Sequence, residues 1–128
     1  MELRQKEIKL LIHHYKELDK KALGYAELSP NAVQIVNLDQ ESLTPRMIKE
    51  IIDLLGVDVS KIIDRNSDTF IDKFKNVELS EEDWLRVLSE KNDLIKTPIV
   101  LSEDKNMIVD APSRLLEFRD EYLKPVEK

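Results

Sequence analysis

The order in which the apolar residues change their spacing restricts the fold of this chain more than any other feature of its sequence. Residues 8–15 carry apolar side chains at alternate positions, which is typical of a strand. Residues 16–28 change to helical spacing, and after a turn at 29–31 the β-branched run 33–38 indicates a second strand. A strand, a helix and a strand in this order predict two parallel strands.

The middle of the chain has the signals of a helical segment. Thr44 and Pro45 predict an N-cap and a first helical residue, and Gly56 is placed to end that helix in the left-handed conformation. Ser80 predicts the cap of another helix, whose apolar face begins at Trp84 and belongs to the core. Two shorter helical turns are predicted between them, after Asp58 and at 70–74.

The C-terminal part returns to strand patterns. Thr97-Pro98 opens a strand at 99–101, and 107–109 follows after a turn, which predicts an antiparallel hairpin. Pro112 then opens a closing helix. We expect one α/β domain over 1–128, with a core at about 5–122 and a tail at 123–128.

Composition excludes several classes of function. The 128 residues hold 20 Lys and Arg against 26 Asp and Glu, a formal charge of -6, which disfavours direct binding to nucleic acid. Cysteine is absent, so the chain has no disulfide, no thiolate metal ligand and no thiol nucleophile. No apolar run approaches the roughly 20 residues of a membrane span. We therefore expect a cytoplasmic protein with no membrane contact.

The segment Leu94-Ile95-Lys96-Thr97-Pro98-Ile99-Val100, followed by Val109-Asp110-Ala111-Pro112, resembles the arsenate reductase (ArsC/Spx) family. The family pattern here is Leu-Ile-x-Arg-Pro-Ile-Val, a hairpin and Gly-Arg-Pro, and 52–63 and 80–88 resemble two of its helical segments. The resemblance covers about 5–120. It implies a thioredoxin-like (glutaredoxin-like) three-layer sandwich with a four-stranded mixed sheet, a helical insertion and a cis peptide bond before Pro98.

The same resemblance implies that the family's chemistry is lost. It places the family's cysteine nucleophile at Lys16, and its three oxyanion-binding arginines at Asp64, Thr97 and Ala111, with Arg65 as the nearest substitute. Arsenate reduction needs a thiolate to attack arsenic and guanidinium groups to stabilise the oxyanion. We therefore expect no enzymatic activity by this mechanism and no cofactor.

His13 and His14 are further candidates because they lie where the family's active-site loop begins. Adjacent strand residues point to opposite faces, so a surface or loop position is favoured over joint metal binding, and Asp19 and Asp39 are the nearest candidate carboxylates. No catalytic, cofactor-binding or metal-binding residue is assigned. The relic active-site residues are His13, His14, Lys16, Asp64, Arg65, Thr97, Pro98 and Ala111.

Three functions remain open from the sequence. The leading hypothesis is a redox-inactive protein-binding or regulatory module with an unidentified partner, for which Spx-type members imply RNA polymerase. The second is an arsenate reductase or glutaredoxin-like oxidoreductase that uses an external thiol. The third is a pseudoenzyme that binds small anions through His13, His14, Lys16 and Arg65.

Overall fold

The computed structural model describes residues 7–27, 32–103, 105–111 and 114. Four strands form one mixed sheet in the order β2-β1-β3-β4. Strands β1 and β2 are parallel, whereas β1 with β3 and β3 with β4 are antiparallel. The strands are β1 (Glu7–Ile12), β2 (Ala32–Asn37), β3 (Ile99–Ser102) and β4 (Met107–Ile108).

Strand β1 lies between two partners, and most of its side chains are buried. Leu10 pairs in register with Ile35 of β2 on one side and Val100 of β3 on the other. Leu10 and Leu11 are both fully buried, because helices cover both faces of the sheet at this strand. This explains why an apolar residue occupies both the even and the odd positions at the end of β1.

Three helices pack on the sheet: α1 (Glu17–Glu27), α2 (Pro45–Leu55) and α3 (Glu81–Glu90). Helix α1 covers one face of the sheet through Ala22. Helices α2 and α3 cover the other face, where α3 contributes Trp84. Trp84, Met47 and Met107 pack in the core as predicted. Shorter turns follow at Val59–Ile62 (3₁₀), Phe70–Phe74 (π) and Asn92–Leu94 (3₁₀).

The helix ends form where the sequence predicts them. The Thr44 hydroxyl accepts the N–H of Met47 at 3.1 Å, and the Ser80 hydroxyl accepts the N–H of Asp83 at 3.2 Å. Each bond satisfies an amide that has no partner within its helix. Gly56 ends α2 with φ 68°, a conformation in which a side chain would be strained.

The predicted thioredoxin-like architecture is confirmed, with two differences in detail. Strand β1 ends at Ile12 and does not continue to Tyr15, because the next amide, that of His13, donates to a side chain instead of a strand. The segment Phe70–Phe74 is a helical turn, as predicted, but of π type. The predicted turn at 29–31, the closing helix from Pro112 and the tail at 123–128 lie outside the described residues. Across 7–27, 32–103 and 105–111, no helix is long and apolar enough to cross a membrane.

The packing of α3 on the sheet predicts a large effect of truncating its central leucine. Leu88 is fully buried, so Leu88→Ala is expected to lower the free energy of unfolding by about 2–5 kcal/mol through lost burial and a residual cavity. Leu54→Ala, at a position of α2 that is 38% exposed, is the control and should lower it clearly less, because part of this side chain is already in water. Urea denaturation measures both, and equal losses would contradict the proposed packing.

Candidate functional site

The relic residues lie around the loop that joins β1 to α1. The carbonyl of His13 accepts the N–H of Lys16 at 3.1 Å, and the carbonyl of Lys16 accepts the N–H of Lys20 at 3.0 Å. The first bond closes the turn and the second begins the helix. The loop 13–16 therefore has a fixed path from the end of the strand into α1.

His13 is a buried member of a hydrogen-bonded network, with 1% of its surface exposed. Its Nδ1 lies 2.8 Å from the hydroxyl of Thr97, and its Nε2 lies 2.8 Å from the carbonyl oxygen of Asn92. Burial lowers the pKa of His13, and the nearby charge of Lys16 lowers it further. His13 thus lies in the loop after β1, within the expected surface or loop position, but it is buried, and its imidazole joins this loop to Thr97 before β3 and to Asn92 after α3.

Asp19 holds the other end of this network and is fully buried in the first turns of α1. Its Oδ2 accepts the backbone N–H of His13 at 2.7 Å and contacts the Thr97 hydroxyl at 2.5 Å. Burial raises the pKa of Asp19, against the opposing effect of these hydrogen bonds. The carboxyl group thus links the end of β1 to the residue that precedes Pro98.

His14 diverges from His13 and is largely exposed, with 63% of its side chain accessible. Its backbone N–H and its Nδ1 both contact the Asp39 carboxylate. The two histidines therefore have different carboxylate partners and do not converge on a common point. Within 7–27, 32–103 and 105–111 there is no group of three side chains suited to hold a metal ion.

Lys16 and Asp64 form an ion pair, with Lys16 Nζ 2.9 Å from Asp64 Oδ2. About one fifth of each side chain is exposed. The sequence resemblance places a cysteine at the first position and an arginine at the second. The charges at these positions are therefore reversed. The Lys16 cation stands where the resemblance places the cysteine nucleophile, and the Asp64 carboxylate stands where it places the arginine guanidinium.

The remaining relic residues have separate environments. The Arg65 guanidinium lies 5.2 Å from the centre of the Phe70 ring, in cation–π geometry. The peptide bond between Thr97 and Pro98 is cis, as predicted. Ala111 is half-buried after β4, where its carbonyl accepts the N–H of Arg114 at 3.0 Å. The structure therefore joins His13 to Thr97 and Lys16 to Asp64, and directs Arg65 to an aromatic ring.

An open groove of about 390 Å³ lies beside the ion pair. Tyr15 lines it and is 52% exposed. Burial raises the pKa of Tyr15, as do the nearby charges of Asp39, Asp93 and Asp64. The Tyr15 groove, as we call it, is acidic and therefore opposes the binding of an oxyanion. Its lining residues are Tyr15, Lys16, Asp64, Asn66, Ser67, Asp68 and Asp93.

Sequence reasoning missed Asn92, Asp68 and Asp93 as parts of this site. Asn92 contributes a backbone carbonyl, which no side-chain pattern reveals. Its side-chain amide also donates to the carbonyls of Leu38 and Glu41 and holds the neighbouring loop. Asp68 lies close to Asp64 in the sequence, and Asp93 directly precedes the Leu94–Val100 segment. Their proximity to predicted site residues was the available signal.

Several solved structures share this fold. An arsenate reductase from Vibrio cholerae superposes with a TM-score of 0.79 at 17% sequence identity, covering 90% of this chain and 99% of that chain. A Yersinia pestis protein provisionally named an arsenate reductase gives 0.77 at 20% identity, with 86% and 98% covered. An arsenate reductase-related protein from Brucella melitensis gives 0.64 at 16% identity, with 93% and 96% covered.

These matches establish the fold of the chain. No family model matches the sequence, and no curated protein matches it. The resemblance to the arsenate reductase family is confirmed as a structural match, for a chain that holds no cysteine. At identities of 16–20% the likeness carries no assignment of activity.

The ion pair at the site predicts an energetic coupling between Lys16 and Asp64. A double-mutant cycle with Lys16→Met and Asp64→Asn should give a coupling energy of about 1 kcal/mol, since both side chains are mostly shielded from water. The exposed pair Glu82 and Arg86 is the matched control and should couple more weakly. Urea denaturation measures both cycles, and a Lys16–Asp64 coupling no larger than the control would contradict a structural role for the pair.

Proposed function

We propose that this protein is a redox-inactive member of the arsenate reductase fold class that acts by binding a protein partner. The Lys16–Asp64 ion pair is the observation that carries the proposal. It fills the two positions that reduction would need for a nucleophile and an oxyanion-binding arginine. A cytoplasmic location and action as a single domain over 1–128 belong to the same proposal.

The thiol-dependent enzyme is disfavoured by the chemistry of these positions. The sequence contains no cysteine, and a lysine amine cannot form and exchange the sulfur adducts on which thiol redox chemistry depends. An external thiol would supply the nucleophile but would still need fixed cationic donors for the oxyanion. The groove instead presents the carboxylates of Asp64, Asp68 and Asp93.

The anion-binding pseudoenzyme is disfavoured because its four candidate ligands already have partners. Both ring nitrogens of His13 are within hydrogen-bond distance of Thr97 and Asn92. The other three contacts are His14 with Asp39, Lys16 with Asp64, and Arg65 with the Phe70 ring. An anion would have to displace these contacts and approach several carboxylates.

Tyr15 supports a protein partner. An exposed tyrosine beside charged and amide side chains can bury its ring against another protein while its hydroxyl remains hydrogen-bonded, as is common at protein interfaces. The acidic lining favours a basic partner surface. RNA polymerase is the candidate partner implied by the family resemblance, and the same acidity argues against direct binding of nucleic acid.

The absence of a redox site predicts no arsenate turnover. With glutathione and glutaredoxin, or with thioredoxin, the rate of arsenite formation should equal the rate without the protein, because no residue forms the thiolate adduct. Turnover above that background would overturn the proposal.

Two variants then separate the effect of the missing nucleophile on activity from the effect of the missing oxyanion-binding arginines. Lys16→Cys alone should give a thiol that alkylates without arsenate turnover. The variant with Asp64→Arg, Thr97→Arg and Ala111→Arg added is the comparison. Arsenate turnover by Lys16→Cys alone that is comparable to the turnover of the quadruple variant would contradict the loss of the oxyanion-binding site.

Affinity capture from native lysate tests the binding role. The wild-type protein should retain a partner that Tyr15→Ala loses and Ile71→Ala keeps, since Ile71 is similarly exposed on the π turn outside the groove. Purified RNA polymerase is tested in parallel. Equal retention by both variants would place the interface elsewhere, and no retained protein would contradict the binding role.

A further inference from the structure

The buried network beneath the Tyr15 groove contains more close contacts than its ordinary protons can supply. Three contacts each need one hydrogen: Asp19 Oδ2 to Thr97 Oγ1 at 2.5 Å, Thr97 Oγ1 to His13 Nδ1 at 2.8 Å, and His13 Nε2 to the Asn92 carbonyl at 2.8 Å. The Thr97 hydroxyl supplies one hydrogen and a neutral imidazole supplies one. An ionised Asp19 supplies none, so the third hydrogen must be an additional proton.

Two distributions of that proton satisfy all three contacts. In the first, a protonated Asp19 donates to Thr97, Thr97 donates to His13 Nδ1, and Nε2–H donates to the Asn92 carbonyl. In the second, His13 is doubly protonated and donates at both nitrogens, while Thr97 donates to an Asp19 carboxylate. The number of bound protons is the same in both, and the two differ by a shift of protons along the Thr97 hydroxyl.

We propose that Asp19 and His13 share one titratable proton through Thr97, and that this proton is a pH-sensitive latch for the loop 13–16 and the Tyr15 groove. When the proton is lost, two hydrogens remain for three contacts, so one of them, either a contact to Thr97 or the contact of His13 Nε2 with the Asn92 carbonyl, brings two lone pairs together without a hydrogen. That contact then opens.

The surroundings of the network favour retention of the proton. Asp19 is fully buried, and within the described part of the chain its Oδ1 has no hydrogen-bond partner, so an ionised carboxylate there would have an uncompensated oxygen. Burial raises the pKa of Asp19 and lowers that of His13, which favours the neutral distribution. Among the residues that the structure describes, the charged groups facing the pair are Lys16 on the loop and Asp39 after β2.

The network is connected to the groove by direct contacts. The His13 ring lies 5.6 Å from the Tyr15 ring, centre to centre. The His13 amide donates to Asp19, and the His13 carbonyl accepts the amide of Lys16. When the network opens, His13 therefore moves, and the two loop residues that line the groove, Tyr15 and Lys16, move with it. The groove's other charged groups, Asp64, Asp68 and Asp93, lie beyond this loop.

An NMR titration of the intact wild-type chain tests the proposal. It records the Asp19 carboxyl carbon, the His13 ring nitrogens and the Tyr15 ring from pH 4 to 8. We expect Asp19 to ionise at a midpoint above its ordinary value of 3.8 while His13 carries its proton on Nε2, and the Tyr15 ring to shift at the same midpoint. A doubly protonated His13 beside an ionised Asp19, with His13 losing its proton at the same midpoint as the Tyr15 shift, supports the same shared proton.

Thr97 provides the matched variants. Thr97→Ser keeps the hydroxyl and should keep the response of Tyr15, whereas Thr97→Val removes the bridge and should abolish it. An Asp19 that is ionised at its ordinary pKa beside a neutral His13 would overturn the proposal, as would an unchanged Tyr15 response in Thr97→Val. The wild-type titration decides the matter by itself if the valine variant does not fold.

Discussion

The arrangement of this site depends on the buried network of Asp19, Thr97 and His13. It joins the end of β1 and the first turns of α1 to the residue before β3, which lies 84 residues from His13 and 78 from Asp19 in the chain. Polar groups inside a protein are costly unless they are paired, so these hydrogen bonds favour one arrangement of the segments. The loop 13–16 takes its path from that arrangement, and the Tyr15 groove takes its shape from the loop.

An exchange of charge on this frame accounts for the proposed change of function. The family resemblance expects a nucleophile facing a guanidinium, and this chain instead has Lys16 facing Asp64 at 2.9 Å. Each substitution alone would leave an unpaired, partly buried charge, whereas together they neutralise each other. A site with this pair remains electrostatically satisfied, and we propose that its affinity for an oxyanion is lost with the exchange. The shared fold and the proposed absence of the shared chemistry are therefore compatible.

Much of the fold could be predicted from local signals. The caps at Thr44 and Ser80, the left-handed Gly56 and the existence of strand β1 each have a local physical cause, and all were confirmed. The site was harder, because Thr97 contacts two residues that lie far from it in the chain, His13 at 84 residues and Asp19 at 78 residues. The resemblance named Lys16, Asp64 and Thr97, but not which residues would pair. The partner of His13 Nε2 is a backbone carbonyl, for which the sequence contains no signal.

Titration of isotope-labelled protein with arsenate tests most directly whether the oxyanion site has been lost. The amide signals of Lys16, Asp64 and Asn66 report on the groove. Those of Glu82 and Arg86, whose side chains are exposed on α3, are the reference for ionic-strength effects. With carboxylates lining the groove and Lys16 already paired, we expect small, non-saturating shifts equal to those of the reference amides. Saturable shifts confined to Lys16, Asp64 and Asn66 would show that the groove still binds the oxyanion, and would contradict the proposal.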